Sequence, residues 1–264
     1  MKSTRLNFKA IGLLIIAALL YGLIFPLNSA AISRGASFFG YAFWQTFIAG
    51  LTLLAITRIK NQIFPTKSQN LLCFLIVGAC GFGFPFAIFS ATASHLPISL
   101  TSIVMALSPT FTYLLGTFLK IERLTKFGLT GIALGLIGVC IIVVPDNNFP
   151  DFNSIKWFAI ALATPIFLAT ANMAAAILRP PDASANSVGA GFLLGGAVSI
   201  APFMLATGQT FFPTQLDLIA ITIASSLVNA IFIIIFAEIV RLYGPTFFSQ
   251  FNYLAVVAAS FWAF

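Results

Sequence analysis

Long apolar stretches, separated by short polar turns, fill nearly the whole sequence and restrict its fold more than any other feature. A helix needs about 20 apolar residues to cross the roughly 30 Å hydrocarbon core of a bilayer. These stretches are too long and too continuously apolar for the roughly ten-residue alternating strands of a membrane barrel. The sequence therefore predicts an all-α membrane protein with about nine transmembrane helices, over residues 10–32, 38–57, 70–92, 97–119, 125–144, 155–178, 188–207, 217–240 and 246–264.

The composition excludes a water-soluble protein. Only 7% of the residues are charged and 60% are hydrophobic, whereas a soluble domain has about 25% charged residues. The net charge of +7 does not indicate a nucleic-acid partner, because the basic residues lie in short clusters between apolar stretches. Cys73, Cys80 and Cys140 lie inside apolar stretches without metal-ligand spacing. We therefore expect buried thiols, no metal and no cofactor.

Lysine and arginine are divided unequally between the two sets of alternate loops. Eleven of the 13 fall in the N-terminal segment and in every second loop after it, and only Arg34 and Lys156 fall in the other set. Positively charged loops stay on the cytoplasmic side of a membrane. The distribution predicts a multi-pass protein with a cytoplasmic N-terminus.

Proline and glycine spacing indicates an internal repeat. Leu96-Pro97, Ser108-Pro109 and Glu122 have a weak echo about 147 residues later, at Tyr243-Gly244 and Ala255-Val256. If each half holds five helices, an odd number, the second half is inverted relative to the first, as in many secondary transporters. The predicted division is a first repeat (1–145), an outer linker (146–154) and a second repeat (155–264). This plan requires a tenth helix, so we expect a chain truncated after the fourth helix of its second repeat; a protein with nine helices is the alternative.

These segments resemble the drug/metabolite transporter superfamily, specifically its EamA-type members with ten spans. The resemblance rests on three segments: 97–123 with its spaced prolines and Glu122, the glycine-rich 128–138, and 243–253. It covers essentially the whole chain as two EamA-like repeats. It implies a polytopic inner-membrane protein that moves small metabolites, often amino acids or related compounds, usually outward.

Uncharged polar side chains near the middle of the predicted helices are the candidate substrate contacts, because lipid offers them no partner. Pro109 removes a backbone donor beside Ser108 and leaves a carbonyl free. Asn229 and Asn252 are preferred because an amide both donates and accepts. Asn28 and Asn172, which are 144 residues apart, are candidates for a pseudo-symmetric pair. The predicted substrate-binding residues are Tyr21, Asn28, Ser108, Asn172, Asn229 and Asn252. For each, a structural hydrogen bond between helices is the alternative.

Glu238 is the acidic residue that lies inside or at the edge of a predicted helix, and is the candidate for ion coupling. The alternative, which we favour, is an interface ion pair with Arg241, three residues on. His95, the only histidine, is a minor candidate for pH sensing. Two small-residue motifs, Gly131-x-x-x-Gly135 and Gly191-x-x-x-Gly195, predict close helix contacts. They serve either an internal contact, which we expect, or a homodimer interface.

The function predicted from these features is secondary transport of small metabolites, as an exporter, by alternating access at the interface of two inverted repeats. The partners are then the lipid bilayer and a small-molecule substrate. The sequence contains no Walker A motif, so the energy must come from a gradient. It contains neither an H-E-x-x-H nor a G-x-S-x-G motif, so an enzyme is not expected. The alternative is a non-transporting scaffold or degenerate fragment of the same family.

Overall fold

The fold is all-helical throughout the residues that the computed structural model describes, which are 8–92, 95–96, 104–123, 125–143, 155–210 and 213–262. No strand occurs in these ranges, and the prediction of an all-α membrane protein is confirmed. The predicted linker 146–154 and Pro97 lie outside them. The helices are α1 (Phe8–Ser33), α2 (Phe38–Ile59), α3 (Ser68–Gly78), a π-helical segment (Ala79–Gly83), α4 (Phe84–Thr92), α5 (Ser108–Phe118), α6 (Lys126–Val143), α7 (Ile155–Ala161), α8 (Ala163–Ile177), α9 (Ala185–Ala206), α10 (Leu216–Tyr243), α11 (Pro245–Ser249) and α12 (Phe251–Trp262).

Five helical stretches of the described chain are long and apolar enough to cross a membrane by length and composition: Phe8–Ser33, Phe38–Ile59, Ile155–Ile177, Ala185–Ala206 and Leu216–Tyr243. Two shorter apolar stretches, Ser68–Gly83 and Val104–Phe118, lie between them. Large apolar side chains on their outer faces are exposed, such as Val198 (63%), Leu205 (67%) and Ile231 (50%). Outward-facing apolar side chains of this kind are what a lipid environment requires.

Prolines interrupt two of the predicted spans. A turn at Leu107 separates the helical residues from Val104 onward from α5, and Pro109 lies at the start of α5. A second turn at Leu162 separates α7 from α8, just before Pro165. Proline lacks a backbone N–H and is tolerated in the first turn of a helix, where that donor has no intrahelical acceptor. The helix therefore restarts at each proline.

The loops at the two ends of the bundle are paired by polar contacts. At one end, Nε of Arg34, after α1, lies 3.0 Å from Oδ2 of Asp217, at the start of α10. At the other, Oε1 of Gln62, after α2, accepts hydrogen bonds from Ser184 Oγ (2.7 Å) and Asn186 Nδ2 (3.1 Å), at the start of α9. From the sequence, the two loops of each pair are expected on the same side of the membrane. In the structure, the two loops of each pair lie at the same end of the bundle.

Glycine allows α3 and α9 to pack with their backbones in contact. Gly191 faces the ring of Phe74, and Gly195 faces the main-chain carbonyl of Phe74. Gly78, at the end of α3, faces the backbone of Gly195 and Gly196. The Gly191-x-x-x-Gly195 motif thus serves an internal contact. A Cβ on Gly131 would meet no atom within 4 Å among the described residues. For the Gly131-x-x-x-Gly135 motif, a homodimer interface therefore stays a prediction.

We expect Gly195→Ala to lower the stability of the purified protein by about 2 kcal/mol or more, because the added methyl group would overlap the Phe74 carbonyl and force the two helices apart. Thermal unfolding in detergent measures the effect. Gly131→Ala is the matched control, since it adds the same methyl group into open space within α6 and should be neutral or slightly stabilising. Equal melting temperatures for the two variants would contradict the close contact between α3 and α9.

Candidate functional site

The buried polar side chains of the described residues are all uncharged. They are Gln45, Thr46, Thr57, Thr92, Ser108, Thr112, Thr164, Asn172, Ser187, Thr222, Ser225, Ser226, Asn229, Ser249 and Asn252. Several of them lie on two helix interfaces: α2 against α10, and α5 against α8. These interfaces differ in whether their polar atoms have hydrogen-bond partners, and that difference separates structural polar groups from candidate binding groups.

The α2–α10 interface is internally satisfied. Asn229 Nδ2 donates to Gln45 Oε1 at 3.1 Å, and the hydroxyls of Tyr41 and Ser225 form a hydrogen bond one turn away. All four side chains are at most 3% exposed. Asn229, predicted as a substrate contact, therefore has a protein partner on a neighbouring helix. Its partner Gln45 was missed; the signal in the sequence is the matching four-residue spacing of Tyr41 and Gln45 and of Ser225 and Asn229.

The α5–α8 interface contains buried polar atoms without partners. Asn172 Nδ2 donates to Thr112 Oγ1 at 3.3 Å, and Thr112 Oγ1 donates to the Ser108 carbonyl at 2.8 Å. Oγ of Ser108 and Oγ1 of Thr164 are buried and have no hydrogen-bond partner among the described residues. We call Ser108, Thr112, Thr164 and Asn172 the α5–α8 polar set. Ser108 and Asn172 were predicted from the sequence; Thr112 and Thr164 were not named as site residues.

The α5–α8 polar set occupies one level of the bundle. Val104, one turn before Ser108, belongs to a buried cluster with Ala161, one turn before Thr164, and Thr112 bonds Asn172 further along both helices. Because residue numbers rise together on both helices, α5 and α8 run in parallel. At about 1.5 Å rise per residue, Ser108 lies about 6 Å beyond Val104 and Thr164 about 4.5 Å beyond Ala161 along their helices. Both unpartnered hydroxyls are therefore at a similar depth.

The other two predicted amides lie elsewhere. Asn252 Nδ2 donates to the Ser249 carbonyl at 3.0 Å, across the break between α11 and α12. This bond satisfies a carbonyl that a continuous helix would have satisfied. On α1, Oδ1 of Asn28 is buried without a partner among the described residues. The ring of Tyr21 packs on Phe232 and Phe251, with centroid distances of 5.1 and 5.2 Å.

Glu238 is paired at the end of α10. Its Oε2 lies 2.7 Å from Arg241 Nη2, and the side chains of the two residues are 30% and 51% exposed. In the loop after α8, Arg179 Nη1 donates to the Ala237 carbonyl at 2.7 Å. Burial lowers the pKa of the Arg179 guanidinium, and the nearby Glu238 carboxylate opposes that shift. Glu238 thus belongs to a charged group at the helix end rather than to either polar helix interface.

Other titratable candidates have packing contacts. The ring of His95 stacks on Trp157, with centroids 3.9 Å apart, and Lys156 Nζ lies 5.3 Å from the Trp157 ring. Cys73 and Cys80 are buried; the side chain of Cys140 lies outside the described part of the chain. No group of three or more His, Cys, Asp and Glu residues that could hold a metal occurs in that part.

Comparison with known proteins identifies the family. The EamA-like transporter family matches over residues 8–144, more than half of the sequence. The chain belongs to the EamA-like transporter family. Members of this family are membrane transporters of the drug/metabolite type, not enzymes. A crystal structure with 18% sequence identity superposes with a TM-score of 0.76, covering 97% of this chain and 87% of that one, and shows the same fold. No curated protein matches the sequence.

The Gln45–Asn229 hydrogen bond yields a double-mutant prediction. We expect a coupling energy of about 0.6 kcal/mol, and at most about 1.7 kcal/mol, between Gln45→Ala and Asn229→Ala, the average and the maximum found for hydrogen bonds between membrane helices. Thermal or denaturant unfolding of the wild type, both single variants and the double variant gives this value. A control cycle that pairs Gln45→Ala with Thr170→Ala, whose hydroxyl bonds its own helix at Ile166, should be additive. Additivity in both cycles would contradict a bond at this interface.

Proposed function

We propose that this chain is a secondary transporter that moves small metabolites without net charge, such as zwitterionic amino acids or related compounds, by alternating access between its two halves. The observation that carries the proposal is the α5–α8 polar set. Its residues come from both halves, because α5 belongs to the predicted first repeat and α8 to the second. Buried hydroxyls without partners are costly to maintain, and a bound substrate would supply the missing hydrogen bonds.

The packing of the helices supports an inverted-repeat mechanism. α1 packs on α10 and α12, whereas α8 packs on α3–α4 and α5. α2 packs on α9 and α10, and α9 packs on α2 and α3. Suppose that α1 corresponds to α8, α2 to α9, α3–α4 to α10, and α5 to α11–α12. When each helix is replaced by its counterpart, every contact in this set becomes another contact of the same set. Two related halves around a pseudo-two-fold axis would pack in this way. The family match, which ends at residue 144, stops beside the predicted boundary of the first repeat.

The proposed substrate class follows from the charge of the interior. No buried polar side chain of the described residues is ionised, so no buried charge is available there to pair with the charged group of an organic anion or cation. A zwitterion carries no net charge, and its ammonium and carboxylate groups can use hydroxyl and amide partners. Outward transport from the cytoplasm across the inner membrane is the direction that the resemblance favours.

Binding provides the first test of this proposal. Purified protein is screened by thermal shift against amino acids, nucleosides and cationic drugs, and we expect the melting temperature to rise with a net-neutral compound, because a ligand of the folded state stabilises it. Ser108→Ala and Asn172→Ala should each weaken that ligand about tenfold, a loss of about 1.4 kcal/mol, and should reduce its uptake into proteoliposomes. Thr170→Ala, which removes a hydroxyl that bonds the Ile166 carbonyl of its own helix, is the control. Unchanged binding in both site variants would place the substrate elsewhere.

Orientation provides a separate test. We expect a cysteine at Lys60, after α2, to react with a membrane-impermeant thiol reagent only after cells are permeabilised, because its loop is predicted to be cytoplasmic. A cysteine at Thr207, at the end of α9, should react in intact cells. Both native side chains are exposed, and the parent chain controls for labelling of its own cysteines. Labelling of both positions from the same side would rule out the proposed threading.

A further inference from the structure

We propose that the α5–α8 polar set forms part of a binding site for a small monovalent metal cation, and Na⁺ is the ion with which the proposal is tested. The proposal that an ion binds here rests only on the geometry of this interface. A role for the ion in coupling would rest in addition on the transport function proposed above. Sites of this kind in membrane transporters are built from the carbonyls of interrupted helices.

The first observation is the pair of unpartnered hydroxyls. Ser108 and Thr164 are both fully buried, at 0% exposure, and neither hydroxyl has a partner among the described residues. A serine or threonine within a helix ordinarily bonds the carbonyl one turn earlier, as Thr112 does at the Ser108 carbonyl. Ser108 and Thr164 make no such bond, which leaves the lone pairs of both oxygens available to a ligand.

The second observation is a proline directly after each of these residues. In a regular helix the carbonyl of Met105 would accept from residue 109, and that of Ala161 from residue 165. Both positions are proline, which has no N–H to donate. Met105 and Ala161 are buried residues, at 7% and 0% exposure. Within a single turn, each helix therefore has one hydroxyl without a hydrogen-bond partner and one backbone carbonyl whose regular helical donor is absent.

The geometry brings these oxygens to the same interface. Ser108 and Met105 lie four and seven residues before Thr112 and share its helical face, and Thr112 bonds Asn172 on α8. Ala161 lies eleven residues, or about three turns, before Asn172 and therefore on the same face of that span. The cluster of Val104 with Ala161 closes one end of the interface. The hydrogen bond between Thr112 and Asn172 closes the other.

The chemistry of the oxygens selects the ion. All four are neutral, and no buried carboxylate occurs in the described residues. Ca²⁺ and Mg²⁺ are ordinarily bound through carboxylates in addition to neutral oxygens. A monovalent ion has a smaller dehydration cost, and hydroxyl and carbonyl oxygens can replace its water shell. Because the groups are not acids, the site also differs from a proton carrier, which requires an ionisable side chain.

The test measures thermal unfolding of the purified full chain in NaCl, KCl and N-methyl-D-glucamine chloride at equal ionic strength. We expect Na⁺ to raise the melting temperature in a saturable way relative to N-methyl-D-glucamine. Thr164→Ala and Ser108→Ala should each raise the half-saturating Na⁺ concentration about tenfold or more, as loss of a site group does in other metal sites. Thr164→Ser, which keeps the hydroxyl, should retain the Na⁺ response, and Thr170→Ala should behave as wild type.

The outcomes separate this proposal from the transport function. Equal melting temperatures in the three salts, or a Na⁺ response that persists unchanged in both alanine variants, would overturn the cation site. If the alanine variants do not fold, wild type and Thr164→Ser are compared instead. A site at this interface requires Na⁺ to raise the melting temperature of both, and no rise in either would overturn the proposal. A Na⁺ response in a protein that transports nothing would keep the ion site and reject the function. If the protein transports a substrate independently of Na⁺ and its melting temperature does not respond to Na⁺, the transport function is kept and the ion site is rejected.

Discussion

The interior of a lipid bilayer contains no hydrogen-bond donors or acceptors, and the structure of this protein follows from that constraint. Every backbone group within the membrane has to be satisfied by the helix itself or by another part of the protein. The two proline interruptions comply with this rule, because Pro109 and Pro165 are both buried. An interrupted helix that faced lipid would expose an unsatisfied carbonyl to hydrocarbon, at a cost of several kcal/mol. The position of such exceptions therefore indicates where the protein holds water, ions or substrate.

The same constraint distinguishes two types of interface in the bundle. Between α2 and α10, the Gln45 and Asn229 amides and the Tyr41 and Ser225 hydroxyls pair with one another. Between α3 and α9, glycines bring the backbones together so that little space is left for any other molecule. Both interfaces are complete without a ligand. The interface between α5 and α8 retains two unpaired hydroxyls, and a ligand can contribute free energy where the protein has left hydrogen bonds unmade.

The spans of this fold could be predicted from hydropathy to within a few residues. The stretch predicted at 38–57 forms Phe38–Ile59, and that at 217–240 forms Leu216–Tyr243, because a bilayer sets both the length and the composition of a crossing helix. The break after Ser249 and the π-helical segment at Ala79–Gly83 were not predicted. The break has no proline, and glycines occur in the continuous helices α6 and α9 as well as in the π-helical segment.

The site could be predicted only in part. Amide chemistry selected Asn229 and Asn252 as substrate contacts, but the same chemistry makes amides good partners for other protein groups. The partner of Asn229 is Gln45, 184 residues away in sequence, and the matching four-residue spacing of polar residues on the two helices is the signal that relates them. Thr164 was within reach of sequence reasoning, because Thr164-Pro165 has the same form as Ser108-Pro109 and lies in the corresponding part of a span. A hydroxyl residue directly before a proline is the sequence feature that Ser108 and Thr164, the two members of the α5–α8 polar set with unpartnered hydroxyls, have in common.

An ion bound between α5 and α8 would act on both halves of the protein. A ligand shifts a conformational equilibrium only to the extent that it binds the two states differently. Oxygens from a single helix would keep their spacing while the halves moved, and an ion held by them alone would favour neither state. In the proposed division Ser108 and Met105 belong to one half and Thr164 and Ala161 to the other, so a rotation between the halves would change the coordination. Since no carboxylate is involved, the coupling would depend on cation concentration rather than on pH.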